Sequence, residues 1–230
     1  ASNFLRRKYV NFNSKEILHQ QTPLILATRG GFIDIVKLLI NEEKVEVNSF
    51  CEECHQTAFY YACKNGYIEI VELLLKSERV DINIPNKEGK TGFIIACEKG
   101  FDKIVKILMN ENNVFHLNKQ AFNFSIENGH HKIVNIFIEK NKKDLSQLIN
   151  EEDQLKLLQN VCFRGNLKIV KLLFSIESLI KLTDNIKVKK NLYHLACING
   201  NKETIVFLKE KGFEIENDDD NIIECSIKKK

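Results

Sequence analysis

The chain has 230 residues, 43% apolar and 28% charged, a balance that buries a core and suits a soluble protein. Its 34 basic and 31 acidic residues leave a net charge of +3, which excludes a general binder of nucleic acid or anionic membrane; the lysines are scattered among glutamates and form no basic stripe. No run of 18 apolar residues exists to span a membrane, ASNFLRRKYV lacks a secretory core, and the cysteine spacing is not that of a disulfide scaffold, so a reducing compartment is expected, cytoplasm or nucleus.

In chain order, FLRRKYVNFN (4–13) aligns with LLKSERVDIN (74–83) and reads as the tail of an outer helix. TPLILATRG then leads to Gly31, and GFIDIVKLLI follows, two short helices around a glycine. After a segment containing CEECH (51–55), the pattern returns as TAFYYACKN and GYIEIVELLL. Pro85 and Lys87-Glu88-Gly89 signal a tight turn before TGFIIACEK and GFDKIVKILM. A truncated connection, Asn112 to Lys119, precedes QAFNFSIEN and GHHKIVNIFI. KLLQNVCFR with GNLKIVKLLF, then NLYHLACIN with GNKETIVFLK, complete six copies. The connections near Asn150–Gln154 and Thr183–Lys189 lack an Asp/Gly turn and are expected to be irregular or partly helical. NIIECSIKKK (221–230) aligns with QAFNFSIENG and reads as a seventh inner helix.

The glycines at 31, 66, 100, 129, 165 and 200 stand 35, 34, 29, 36 and 35 residues apart, the mark of a repeat architecture. Each fits a helix C-terminus that turns the chain back through a left-handed residue. Beyond each glycine, Ile35, Ile70, Ile104, Ile133, Ile169 and Thr204 lead a recurring pattern. Val36, Val71, Val105, Val134, Val170 and Ile205, then Leu39, Leu74, Leu108, Phe137, Leu173 and Leu208, continue it as one buried helix face. In the preceding helix a small residue recurs at Ala27, Ala62, Ala96, Ser125 and Ala196, with Val161 the misfit, and lets helices pack closely.

The period, TPLILA (22–27) and GYIEIVELLL (66–75) resemble ankyrin repeats over nearly the whole chain. The resemblance implies an all-α solenoid, each repeat two helices and a β-hairpin-like finger, with inner helices and fingers lining a concave groove. Only Thr22 is followed by Pro. One array over 1–230 is expected, with repeats starting near 22, 57, 91, 120, 156 and 191 and partial repeats at 1–21 and 217–230. Because it starts and ends mid-repeat, the chain reads as a segment of a longer protein. The alternative is that the half-repeats are polar caps, carrying Arg6, Arg7 and Lys228 to Lys230.

Cys63, Cys97, Cys162 and Cys197 follow the small residue in register, as small buried hydrophobes do. Cys51, Cys54 and His55 differ. They sit on a finger expected to be exposed, in the C-x-x-C-H spacing of haem attachment, zinc binding or thiol redox chemistry. Zinc needs four ligands, and beyond His19 no fourth is evident; haem needs an axial ligand and a pocket. The simplest reading is a solvated tip with no cofactor. Gly89-Lys90-Thr91 lacks the earlier glycine of a phosphate loop and reads as a turn.

Function then rests on positions that the core does not dictate. These are the pairs before each glycine: Arg29 with Gly30, Lys64 with Asn65, Glu98 with Lys99, Glu127 with Asn128, Phe163 with Arg164, and Ile198 with Asn199. Gln21, Gln56 and Lys90, just before inner helices, join them. The early set is polar; Phe163 beside Arg164 resembles an interface anchor. The expectation is a non-catalytic scaffold holding a protein or peptide partner in the groove, without nucleic acid, membrane or an obligatory small molecule. The alternatives are a substrate-recruiting segment of a larger multidomain enzyme and a structural subunit of a large assembly.

Overall fold

The computed structural model describes residues 11–16, 21–110, 119–141, 145 and 149–213. The expected half-repeats at the two ends therefore fall largely outside the described residues, with Arg6, Arg7, His19 and Lys228 to Lys230; the truncated finger at 112–118 also lies outside them. The chain divides into two compact units, 1–124 and 125–230. The regular elements among the described residues are helices, with no strand beyond one isolated bridge.

The first unit contains three helix pairs: α1 (Pro23–Arg29) with α2 (Ile33–Ile40), α3 (Ala58–Asn65) with α4 (Ile68–Lys76), and α5 (Gly92–Lys99) with α6 (Asp102–Leu108). Each inner helix starts at a threonine. The hydroxyls of Thr22, Thr57 and Thr91 accept from the backbone N–H of Ile25, Tyr60 and Ile94 at 3.4, 3.1 and 3.4 Å. Each bond satisfies a helix-start donor that has no partner within the helix. A left-handed glycine then turns the chain, at the cap itself in Gly66 (φ 77°) and Gly100 (φ 82°) and one residue past the Gly30 cap in Gly31 (φ 73°). At Gly66 a side chain would also meet the Phe101 ring, whose nearest atom lies 2.7 Å from an added Cβ.

The inner helices pack α1 on α3 on α5 and the outer ones α2 on α4 on α6. Val36, Val71, Val105, Leu39, Leu74 and Leu108 are buried between them, as the periodicity predicts. Each contributes about 1.5–3 kcal/mol on burial. Ile35 departs from the pattern: it is 48% exposed, on a pair with no described helix before it. Gly92 lets α3 and α5 pack closely, because a Cβ there would lie 2.9 Å from Phe59 and 3.1 Å from the Cys63 sulfur.

The fingers are turns with little ladder. One carries a single antiparallel bridge, Phe50 with Thr57. The other closes with Asn86 N–H donating to the Lys90 carbonyl at 2.9 Å, and Gly89 there has φ 75°. Asparagines tie loop to loop at the repeat period. Asn48 Nδ2 donates to the Arg79 carbonyl at 3.0 Å and its Oδ1 accepts from Asp81 N–H at 2.8 Å; Asn13 makes the same pair of bonds to Lys44 and Glu46.

The boundary between units falls within α7 (Lys119–Glu127). The second unit continues with α8 (His131–Lys140), α9 (Glu151–Arg164), α10 (Leu167–Leu173), α11 (Glu177–Leu182), α12 (Ile186–Ile198) and α13 (Lys202–Glu210). Inner helix α9 packs on α12, and outer helix α10 on α8 and α13. Ile133, Val134, Phe137, Ile169, Val170, Leu173, Thr204 and Leu208 are buried. The stretches without turn residues are helical: α9 begins at Glu151 and a separate helix, α11, precedes α12. Asn150 Oδ1 accepts from Asp153 N–H at 2.8 Å, and Glu151, Glu152 and Asp153 fill the first turn, where the helix dipole favours acids.

Candidate functional site

In the first unit the residue before each inner helix reaches its far end. Gln21 Oε1 accepts from Arg29 Nη1 at 3.3 Å, Gln56 Oε1 from Lys64 Nζ at 3.4 Å, and Lys90 Nζ donates to Glu98 Oε2 at 2.8 Å. These repeated pairs form a polar rim, with Asn65 and Lys99 exposed beside them. The Glu98 carboxylate, joined by Glu88 at 3.4 Å, holds the Lys90 ammonium above its ordinary range. The ammonium also stands 4.9 Å over the Phe124 ring.

Several rim side chains have a structural partner. Asn65 Nδ2 donates to the Arg29 carbonyl at 3.3 Å, Arg164 Nη1 to the Glu127 carbonyl at 3.1 Å, and Asn199 Nδ2 to the Phe163 carbonyl at 2.8 Å. Each supplies a donor to a carbonyl at or near the end of the preceding inner helix. The second-unit rim carries Glu127, Asn128, Phe163, Arg164, Ile198 and Asn199, all exposed. Phe163 is 42% and Ile198 60% exposed, while Val161, Cys162, Ala196 and Cys197 next to them are buried. A cleft of about 560 Å³ lies among Ile126, Asn128, Asn160, Phe163, Arg164 and Asn199.

The CEECH finger differs from the expectation of a wholly solvated tip. Glu52, Glu53 and His55 are exposed, but Cys51 is 1% exposed. Cys51 N–H donates to the Gln56 carbonyl at 3.2 Å and its carbonyl accepts from His55 N–H at 2.7 Å, which turns its side chain inward. His55 lies against Phe50, ring centroids 4.6 Å apart, and has φ 54°. Among the described residues no group of three or more His, Cys, Asp or Glu is placed to hold a metal ion.

Cys54 is half-buried in a cleft of about 410 Å³ with Gln21, Arg29, Cys51, Tyr61, Lys64 and Asn65. Tyr61 Oη accepts from Gln21 Nε2 at 3.3 Å and lies 3.6 Å from Cys54 Sγ. Lys64 Nζ stands 5.7 Å over the Tyr61 ring. Burial pushes the Tyr61 phenol well above its ordinary range, so it stays protonated. At Cys54, burial opposes ionisation, but hydrogen bonds from the Cys51 thiol and Tyr61 and the Lys64 charge outweigh it and lower the thiol. Burial and the same thiol–thiol bond push Cys51 up.

Tyr61 and Asn160 were not legible as site residues. Both stand five residues before their glycine, where other repeats have Leu26, Ile95, Phe124 and Leu195. A polar atom at an otherwise apolar position is the signal that could have found them.

Two overlapping stretches, 3–86 and 78–149, match the family model described as ankyrin repeats (3 copies). A solved ankyrin repeat domain from Acinetobacter baumannii AYE is 24% identical and superposes with a TM-score of 0.61. That match covers 76% of this chain and 90% of the other, and at such identity the likeness is one of fold. No curated protein matches the chain.

Proposed function

The chain belongs to the ankyrin-repeat family, whose members are generally protein–protein interaction modules, and from that premise we propose that it is a non-catalytic scaffold whose rim residues dock a protein or peptide. The observation that carries this reading is the pair of exposed apolar side chains, Phe163 and Ile198, on a rim whose neighbouring helix positions are buried. Core packing does not require them there. Aromatic and arginine side chains dominate interface energetics, and Phe163 stands beside the exposed Arg164. Covering Phe163 with a partner contributes about 1.5–3 kcal/mol. The first-unit rim of Arg29, Gln56, Lys64, Asn65, Lys90, Glu98 and Lys99 supplies polar and charged contacts that set orientation and selectivity.

The test is capture of partners on immobilised chain, followed by titration of a purified partner against Phe163→Ala and Ile198→Ala. Each variant is expected to weaken binding about tenfold or more while melting close to wild type. Undiminished binding by both variants would overturn the docking surface. A large loss of thermal stability in Phe163→Ala would mean that the ring is part of the core.

A further inference from the structure

We propose that Cys51 and Cys54 form a reversible dithiol–disulfide site, Cys54 being the peroxide-reactive nucleophile and Cys51 the resolving thiol behind it. The two lie in one turn, closed by His55 N–H donating to the Cys51 carbonyl at 2.7 Å, and both line the same cleft. The rest of the cleft aims donors at the Cys54 sulfur. Arg29 Nη1 donates to Gln21 Oε1 at 3.3 Å, and Gln21 Nε2 donates to Tyr61 Oη at 3.3 Å. Tyr61, accepting from Gln21 on one side, is placed to donate its hydroxyl proton to Cys54 Sγ, 3.6 Å away. Aligned bonds of this kind polarise one another, and together they favour a thiolate over a thiol.

Access divides the roles. Cys54 is part-exposed and lines the open cleft; Cys51 is buried against it. The inner-helix thiols of Cys63 and Cys162 are buried, and burial pushes both up, which makes them inert by comparison.

The chemistry balances with a peroxide as oxidant. The Cys54 thiolate attacks the peroxide, an S–O bond forms as the O–O bond breaks, and the sulfur loses two electrons to give a sulfenic acid and one reduced oxygen product. The Cys51 sulfur then attacks the Cys54 sulfur. The S–S bond forms, the S–O bond breaks, and hydroxide leaves with the Cys51 proton as water. A dithiol reductant reverses the change through a mixed disulfide.

The experiment treats the reduced full chain with hydrogen peroxide, alkylates the remaining thiols and maps the peptides by mass spectrometry. An internal Cys51–Cys54 disulfide is expected before any oxidation of Cys63, Cys97 or Cys162, restored by dithiothreitol. Cys51→Ser is expected to leave a Cys54 sulfenic acid trapped by dimedone, and Cys54→Ser to leave Cys51 unreacted. Tyr61→Phe is expected to slow the reaction about three- to tenfold at neutral pH. Oxidation of the inner-helix cysteines at the same rate, intermolecular dimers in place of the internal bond, or full alkylation of both finger cysteines after excess peroxide would each overturn the proposal.

Discussion

Arg79 shows how one side chain can secure a repeat junction. Its Nη1 donates to the carbonyls of Ile40 and Glu42 at 3.2 and 3.3 Å, and its Nη2 to that of Glu43 at 3.1 Å and to that of Val45. The Ile40 carbonyl ends α2 and the others lie just beyond it, where helical partners run out; that of Glu42 also accepts from Val45 N–H at 3.1 Å. A lysine keeps the charge but not the planar fork. Arg79→Lys is therefore expected to cost about 1 kcal/mol and lower the melting temperature by about 2–4 °C in differential scanning calorimetry. An unchanged melt would show that solvent serves these carbonyls equally well. The sequence displays Arg79 only as one charge among many, because its four acceptors are backbone atoms more than thirty residues away. The same limit applies to Asn65, Arg164 and Asn199. Their place on the rim was legible from the glycine register, but their bonds to preceding carbonyls were not.

At the scale of the helix, four inner elements carry a buried thiol, legible because Cys63, Cys97, Cys162 and Cys197 each stand three residues before their glycine, three of them directly after an alanine and Cys162 after Val161. Burial raises the Cys162 thiol from 9.0 to about 12. Between those values the unfolded chain ionises there and the folded one does not. The stability tied to this thiol is therefore intact below pH 9 and falls as pH rises towards 12. Melting temperature measured across that window is expected to drop more steeply for wild type than for Cys162→Ala; parallel curves would contradict the assignment. Helix α9 was harder to place. Its C-terminal half carries the repeat pattern, and its extension back to Glu151 depends on the Asn150 cap and three acids, within a stretch that the sequence marks only as lacking a turn and irregular or partly helical. The CEECH finger departs from expectation at Cys51, which is buried, because a turn's hydrogen bonds, not its composition, decide which side chain faces inward.

Across the whole molecule, the repeat was the most legible feature, since six glycines and their apolar followers impose it at every level from φ angle to core. What a partner would recognise was less legible, because rim positions answer to no periodic constraint and only coordinates separate an exposed Phe163 from a buried one. Burial between repeats holds the fold, and we propose that the inner-helix ends are left for recognition. The most direct test is hydrogen exchange on the chain with and without a purified bound partner. Protection is expected to increase around 126–129, 160–166 and 198–201, with little change in the outer helices 167–173 and 202–210. Protection confined to those outer helices, or a partner bound with no change at the inner-helix ends, would contradict the account.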